Sequence, residues 1–334
     1  MSRILVTGHA GFIGFHTARR LLDDGHEVAG VDSVNDYYDA RLKRARLERL
    51  AGEHFESYEF ALEDKVSLDA VFQSFHPEIV IHLAAQAGVR YSIDHPHTYV
   101  SSNLVGTFNL LEATRNNPVE HLLLASSSSV YGADAKVPFS ERDPADHPVS
   151  LYAATKKATE SLAHSYAHLY KIATTCFRFF TVYGPWGRPD MALFKFVTAI
   201  EAGRPIDVYG KGMMLRDFTY IDDLVESISR LKDMAPVMGS PVSVADSLSP
   251  VAPFRVVNIG GGTPVGLMEF ISAVEGALGV TAVKNMLPMQ PGDVPHTSAD
   301  PTLLRALVGA APATPIRVGV QHFVDWLRSY EPRP

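Results

Sequence analysis

Tyr152 and Lys156 are the two side chains whose types and spacing most directly suggest proton transfer. A helix beginning near residue 151 would place positions i and i+4 on one face, so the phenol and the ammonium could address the same point. A phenol titrates at about pH 10, and a nearby positive charge favours the phenolate, which can remove a proton from an alcohol. An isolated Tyr-x-x-x-Lys is common by chance, and its default interpretation is an exposed pair on a helix surface. The neighbouring motifs must therefore show whether the pair is functional.

The stretch from residue 1 to residue 32 reads as strand, glycine turn, helix and strand. Three glycines shape the turn: Gly8, Gly11 and Gly14. Glycine is needed where the backbone bends sharply or approaches a pyrophosphate, and the free N–H groups of the following helix then face the phosphates. The spacing is Gly-x-x-Gly-x-x-Gly, whereas the general dinucleotide-binding fingerprint is Gly-x-Gly-x-x-Gly. The unit predicts a dinucleotide site, and the alternative is a glycine turn that merely starts a sheet.

Asp32 ends the second strand of this unit, eighteen residues after Gly14. A carboxylate at that place would accept hydrogen bonds from an adenosine ribose and repel a 2′-phosphate, which favours NAD over NADP. A later apolar run at 78–83 ends in the small residues Ala84 and Ala85, followed by Gln86. Small residues at a strand end suit a cofactor ring that lies close to the backbone.

Strands and helices alternate along the first half of the chain, which predicts an α/β fold with a Rossmann-like, doubly wound parallel sheet. Further strands are expected at 55–62, 78–83, 121–125 and 172–179, and helices at 40–50, 66–75, 99–114 and from 151. The basic residues of the 40–50 helix, Lys43, Arg44 and Arg46, are most simply its solvated face.

From Thr181 onward the chain turns to breaker-rich loops and shorter elements. Helices are expected at 192–202, 222–232, 267–278, 301–308 and 316–329, and strands at 206–209 and 255–259. The segment 233–254 is rich in Pro, Ser and Ala without an apolar period, which indicates a mobile surface loop.

Composition excludes several classes of function. The 334 residues are 46% hydrophobic and 20% charged with a net charge of −7, which fits a globular protein and gives no case for nucleic acid or a membrane surface. No apolar stretch reaches membrane length, no signal peptide precedes the first strand, and no histidine cluster has the spacing of a metal site. The single cysteine, Cys176, is expected to be a buried thiol in a cytoplasmic protein.

The serine run Ser126 to Ser129 ends an apolar strand shortly before the helix that carries Tyr152. Together with the glycine turn and the Tyr-x-x-x-Lys pair, it resembles the extended branch of the short-chain dehydrogenase/reductase superfamily. The resemblance implies that Tyr152 is the acid–base group and that Lys156 lowers its pKa and binds the nicotinamide ribose. It also implies that Ser127 helps to hold the reacting hydroxyl.

Longer motifs are similar to those of the UDP-glucuronate 4-epimerase family. They are QAGVRYS at 86–92, TVYGPWGRPDM at 181–191, RDFTYID at 216–222 and MQPGDVP at 289–295. The similarity implies 4-epimerisation of UDP-glucuronate to UDP-galacturonate through a 4-keto sugar that turns over in the site. It places the diphosphate near Arg216, the uridine near Tyr209 and Asp293, and the sugar carboxylate near Arg188.

The remaining expected contacts come from the same resemblance. Further substrate contacts are Arg90, Ser127, Ser128, Ser129 and Thr181. NAD contacts are Gly8, Gly11, Phe12, Ile13, Gly14, Asp32, Leu62, Leu83, Ala84, Ala85, Gln86, Asn103, Tyr152 and Lys156. Three positions depart from the family pattern: Ser33 and Ala61 replace an Asn and an Asp near the adenine, and Gly210-Lys211 replaces Asn-His near the uracil.

Other activities remain open at this point. Related sugar dehydratases carry an Asp-Glu pair at Ser128 and Ser129, and UDP-glucuronate decarboxylases carry a Glu at Ser129. The absence of both acids favours simple epimerisation. The alternatives are decarboxylation, 4-epimerisation of UDP-glucose, and a non-catalytic NAD-binding sensor.

The resemblance also predicts domains and assembly. Residues 1–180 and 218–262 are assigned to an NAD-binding domain, and residues 181–217 and 263–334 to a smaller, interwoven nucleotide-sugar-binding domain. A homodimer is expected to pack through the helices near 100–115 and 152–170.

Overall fold

A seven-stranded parallel sheet forms the centre of the protein, in a computed structural model that describes residues 1–133, 136–290 and 292–330. Its strands are β1 (Arg3–Thr7), β2 (Glu27–Asp32), β3 (Phe55–Glu59), β4 (Ile79–His82), β5 (His121–Ser127), β6 (Thr174–Phe179) and β11 (Phe254–Ile259). The order across the sheet is β11-β6-β5-β4-β1-β2-β3, and all neighbours run parallel. The predicted Rossmann-like fold class is confirmed.

Alternating side chains of these strands build two cores, one on each face of the sheet. Ile4 and Val6 join one buried cluster, and Leu5 between them joins the other. The central strands therefore read as continuous apolar runs, because both of their faces are covered. Cys176 is buried on the second face, as expected.

The helices of the first half cover both faces. They are α1 (Phe12–Asp23), α2 (Ala40–Leu50), α3 (Lys65–Phe75), α4 (Tyr91–Asp94), α5 (Pro96–Tyr99), a π-helix (Val100–Val105), α6 (Gly106–Asn116), a 3₁₀ turn (Ser128–Tyr131) and α7 (Leu151–Tyr170). The strand order reverses between β1 and β4, which is where open α/β sheets bind their ligands.

Two predicted elements of this half have different bounds. The helix expected over 99–114 is interrupted by the π-helix, whose wider turn lets the Asn103 amide hydrogen-bond to both backbone groups of Gln86. The strand expected over 55–62 ends at Glu59, because the chain turns there and Asp64 caps α3 through the N–H of Ser67.

The basic face of α2 was predicted to be solvated, and for two of its three residues this is wrong. Lys43 and Arg46 are only 5% and 0% exposed, whereas Arg44 is exposed and pairs with Glu59. The guanidinium of Arg46 reaches two backbone carbonyls in distant loops. A helix whose buried side binds loop carbonyls needs hydrogen-bond donors on that side. The sequence of α2 is therefore polar on both its buried and its exposed side.

The second half adds helices and three two-stranded sheets beside the central sheet. The helices are α8 (Ala192–Glu201), a 3₁₀ turn (Tyr209–Gly212), α9 (Ile221–Leu231), α10 (Leu267–Leu278), α11 (Thr302–Val308) and α12 (Ile316–Ser329). The short strands are β7 (Thr181–Tyr183), β8 (Ile206–Val208), β9 (Leu215–Arg216), β10 (Phe218–Tyr220), β12 (Val265–Gly266) and β13 (Lys284–Met286). They pair as β7–β10, β8–β13 and β9–β12.

The segment 233–254 is irregular up to Phe254, as predicted, but it is anchored. Asp246 is buried and forms a two-point ion pair with Arg255 of β11, at 2.8 and 3.0 Å. The division of the chain into two domains stays a prediction. Residues 331–334, at the end of the predicted second domain, and Pro291 of the MQPGDVP motif lie outside the described residues. Within the described residues, none of the helices has both the length and the hydropathy to cross a membrane.

Candidate active site

A cleft of about 700 Å³ opens at the carboxyl ends of the parallel strands. All but two of the residues predicted to touch cofactor or substrate line it. The exceptions are Asn103 and Tyr209, and each supports a neighbour: Asn103 holds the backbone of Gln86, and the Tyr209 ring lies 5.1 Å from the guanidinium of Arg90. The residues predicted from the sequence thus lie along one cleft, and their contacts with cofactor and substrate stay a prediction.

The glycine turn at one end of the cleft is too tight for side chains. Gly8 has φ +79°, and a Cβ there would lie 2.7 Å from the amide nitrogen of Ala84. A Cβ on Gly14 would lie only 2.0 Å from the carbonyl oxygen of Gly8. Helix α1 then starts at Phe12 with no side chain capping its first turn. This bare turn and uncapped helix start fit the diphosphate of a dinucleotide.

Asp32 lies in this cleft at the end of β2 and shapes the turn as well. Its two carboxylate oxygens accept hydrogen bonds from the N–H groups of Ala10, at 3.1 Å, and Val34, at 2.8 Å. Ser33 and Ala61, the two departures near the expected adenine, also line the cleft, as does Leu62. The Leu62 carbonyl already accepts a hydrogen bond from the Asn109 amide at 3.0 Å. A contact between the backbone of Leu62 and an adenine would therefore use its N–H group or share this carbonyl.

Tyr152 and Lys156 both line the cleft from the first turns of α7. Ser150 caps this helix just before them and accepts from the N–H of Ala153 at 3.1 Å. The ammonium of Lys156 donates to the carbonyl of Ala125 at 2.7 Å, and burial lowers the pKa of Lys156 to about 8. Burial raises the pKa of Tyr152, and the Ser127 hydroxyl and the Arg188 charge oppose that rise. The Ser127 hydroxyl and the Arg188 charge thus both favour the phenolate of Tyr152.

The serine run divides between two environments. The Ser126 hydroxyl points into the protein and donates to Glu160 at 2.6 Å, next to the buried ion pair of Glu160 with Arg178. Ser127 accepts from the N–H of Ser129 at 3.2 Å and donates to its hydroxyl at 3.2 Å, so both lie at the mouth of the 3₁₀ turn. All four serines line the cleft, and of these Ser126 is tied to Glu160.

Arg188 lines the same cleft as the serines, and the sequence did not reveal how it is held. Its Nε and Nη2 form a two-point ion pair with Asp190, at 2.9 and 2.6 Å, and the Tyr37 hydroxyl donates to the same carboxylate at 3.1 Å. The pair orients the guanidinium while its Nη1 edge stays outside the pair. Asp190 belongs to the motif at 181–191, which could have pointed to it, whereas Tyr37 lies 153 residues before Asp190 and carried no such signal.

A second group of cleft residues brings together segments that are far apart in the chain. Arg90 pairs with Asp293 at 2.9 Å, so two segments that are 203 residues apart meet there. Arg216 lies beside them, where burial lowers its pKa, and its Nη1 donates to the carbonyls of Leu215 and Pro295. Lys43, which was expected in solvent, also lines the cleft and donates to Asn35 at 2.7 and 2.8 Å.

Known proteins share both the sequence and the shape of this chain. Residues 4–240 match the model of the NAD dependent epimerase/dehydratase family. The chain is 58% identical over 330 residues to a probable UDP-glucuronate 4-epimerase of Rhizobium meliloti, covering 97% of this chain and 96% of that protein. It is 45% identical over 332 residues to UDP-glucuronate 4-epimerase 4 of Arabidopsis thaliana, covering 98% and 75%.

A solved structure agrees with the sequence matches. The crystal structure of UDP-glucuronic acid 4-epimerase from Bacillus cereus, in complex with UDP-glucuronic acid and NAD, has a TM-score of 0.87 to this protein. The two are 31% identical, and the match covers 98% of this chain and 99% of that one. By sequence, by fold and by the residues that line its cleft, this chain belongs to the NAD dependent epimerase/dehydratase family.

Proposed function

We propose that this protein is a UDP-glucuronate 4-epimerase that interconverts UDP-glucuronate and UDP-galacturonate and keeps its NAD bound. The observation that carries the proposal is the meeting of Tyr152, Ser127 and Arg188 in one cleft with the glycine turn. A proton acceptor, a hydroxyl and a fixed cation then surround one place where a sugar acid can lie.

The cleft supplies what NAD needs. The turn at Gly8, Gly11 and Gly14 would hold the diphosphate, Asp32 the adenosine ribose, and Lys156 the nicotinamide ribose. NAD, when bound, takes up the hydride from C4 of the sugar and returns it to the opposite face. Ala84 and Ala85 line the cleft with small side chains, which would leave room for a flat ring.

The proton of the O4 hydroxyl is the part of the reaction that Tyr152 handles. Its phenol oxygen accepts this proton during oxidation and gives it back during reduction, while the Ser127 hydroxyl orients O4. Because burial raises the pKa of Tyr152, the phenolate depends on nearby positive charge, to which Arg188 already contributes. Lys156 is held by the Ala125 carbonyl at a fixed place on the same helix.

The sugar carboxylate would lie between Arg188 and the hydroxyls of Thr181, Ser128 and Ser129. A 4-keto glucuronate is a β-keto acid, which loses carbon dioxide when its C5–C6 bond aligns with the carbonyl π system. Charge-assisted bonds from a guanidinium that Asp190 already orients can hold the carboxylate away from that alignment. Neutral serines also place no acid beside the substrate anion.

The nucleotide end would lie against Arg216, Arg90, Tyr209 and Asp293. Arg216 suits the diphosphate, since its pKa is lowered by burial and an anion would compensate that burial. Arg90 lies over the Tyr209 ring and pairs with Asp293, and these contacts would hold Arg90 and Asp293 beside the uracil.

The activity is tested by incubating the purified protein with UDP-glucuronate and identifying the product. UDP-galacturonate formed without added NAD supports the proposal. Released carbon dioxide would identify a decarboxylase, faster turnover of UDP-glucose would identify a neutral-sugar epimerase, and no product from either sugar would identify a sensor.

We also propose a homodimer and a cytoplasmic location. Helices α6 and α7 lie side by side, and they and the preceding π-helix expose large apolar side chains: Val100, Val105, Phe108, Leu169 and Tyr170. Burying this face against a second copy would remove it from water. A single buried thiol suits a reducing compartment.

A further inference from the structure

The guanidinium of Arg46 is buried in α2, with an exposed fraction of 0%, and it bridges two loops. Its Nη2 donates to the carbonyl of Trp186 at 2.6 Å, and its Nη1 donates to the carbonyl of Ala10 at 2.8 Å. Nη1 also donates to the Tyr38 hydroxyl at 2.7 Å. A buried charge needs such partners, and here both carbonyls belong to functional loops. Ala10 lies in the glycine turn, and Trp186 lies two residues before Arg188.

The loop at 184–188 depends on contacts of this kind. Trp186 has φ +61°, a backbone conformation that is uncommon for a residue other than glycine and persists only where the surroundings hold it. His16 of α1 bonds to the carbonyl of Pro185 at 2.9 Å, and the guanidinium of Arg49 lies 4.4 Å from the centre of the Trp186 ring. Burial lowers the pKa of His16 to about 4, so the neutral ring donates this bond.

His16, Arg46 and Arg49 thus join this loop to α1 and α2, while the Trp186 ring also packs on Trp326 and Tyr330. His16 lies on the helix that starts at the glycines, and Arg46 holds the turn itself. Of His16, Arg46 and Arg49, Arg46 is the one whose side chain bonds to both the glycine turn and the loop of Arg188. Its removal leaves two buried carbonyls without these donors, one on each side of the site.

We propose that Arg46 is a positioning residue that fixes the loop of Arg188 against the glycine turn, so that the guanidinium of Arg188 reaches the sugar carboxylate. The inference rests on the proposed function, because it takes Arg188 as the group that binds the carboxylate. Arg46 does not line the cleft and acts only through the two loops.

The variant Arg46→Met tests this in the purified holoenzyme. Calorimetric Kd values are measured for UDP-glucuronate, UDP-glucose and UDP, and bound NAD per chain is measured after acid release. Loss of the orienting bonds should weaken UDP-glucuronate about tenfold or more, leave UDP within about twofold, and lower the bound NAD. Arg44→Met is the matched control, because Arg44 lies on the same helix but is exposed and paired with Glu59, and it should behave as the parent.

Arg46→Lys is the second variant, for use if Arg46→Met does not fold. Lysine keeps the positive charge and can reach one of the two carbonyls, so the loss of affinity for UDP-glucuronate should be intermediate.

A double-variant cycle separates positioning from packing. If Arg46 acts through Arg188, adding Arg46→Lys to Arg188→Ala should cost no further affinity for UDP-glucuronate. An unchanged preference for UDP-glucuronate over UDP-glucose in a folded Arg46 variant, or additive losses in the cycle, would overturn the inference. The Kd measurements do not require turnover. If the parent protein binds UDP-glucuronate but does not convert it, the proposed function is wrong, and the Kd values still test the role of Arg46.

Discussion

Single side chains decide the chemistry of this site, and their surroundings decide how they titrate. Tyr152 and Lys156 share a helix face, as their spacing predicted, but burial alone moves both of their pKa values toward the neutral forms. For Tyr152 the groups that oppose this shift come from other elements: Ser127 from the end of β5 and Arg188 from the loop after β7. No local pattern around residue 152 contains that information, because it depends on which strands lie side by side.

Replacing Tyr152 by Phe removes one titratable oxygen and little volume. Turnover of UDP-glucuronate should fall by about 10²–10⁴-fold, because general acid–base catalysis contributes that much. The bound NAD and the Kd of UDP-glucuronate should stay near the parental values. A Phe variant that keeps more than half of the parental kcat would remove Tyr152 from the mechanism.

Arg188→Ala should remove the preference for an acidic sugar. Charge-assisted hydrogen bonds contribute about 1.5–3 kcal/mol each, so kcat/KM for UDP-glucuronate should fall by about tenfold to a hundredfold more than kcat/KM for UDP-glucose. A pentose assay should detect some decarboxylated product, since the carboxylate is no longer held. Arg204→Ala, at an exposed arginine beyond α8, is the control. Equal losses on both sugars would show that Arg188 does not read the carboxylate.

At the scale of elements, the sequence predicts what local physics determines. The β1–α1–β2 unit was predicted with its glycines and Asp32, because tight turns and buried strands carry strong signals. The π-helix at 100–105 was missed, since it depends on a bond from Asn103 to a loop that is distant in sequence. The buried side of α2 was misjudged for the same reason: arginine reads as solvated until the loop it holds is known.

The glycine turn allows an element-scale test. In Gly14→Ala the new Cβ would meet the Gly8 carbonyl at 2.0 Å, so the turn must open and NAD should be lost from the purified protein. In the control, Gly276→Ala, the new Cβ meets no atom within 4 Å on the exposed side of α10, and alanine should raise stability by about 0.5–1 kcal/mol. NAD released by acid is measured per chain. Full NAD occupancy in Gly14→Ala would contradict the assigned role of the turn.

At the scale of the whole molecule, the exposed apolar face of the π-helix, α6 and α7 predicts a dimer. Phe108 is 45% exposed, and a charge there would be buried without a partner in a homodimer. Phe108→Glu should therefore sediment as a monomer at concentrations where the parent is a dimer. Val244→Glu is the control, because Val244 is 93% exposed in the segment 233–254. A parental protein that is already monomeric would refute the assembly and leave the active site unaffected.

The fate of the hydrogen at C4 tests the central claim most directly. UDP-glucuronate that carries deuterium at C4 is incubated in ordinary water with the purified protein and no added NAD, and the product is analysed by nuclear magnetic resonance. We predict UDP-galacturonate with the deuterium retained at C4, because the hydride leaves and returns within one closed site. Loss of the deuterium to water, or a pentose product with release of carbon dioxide, would contradict the account.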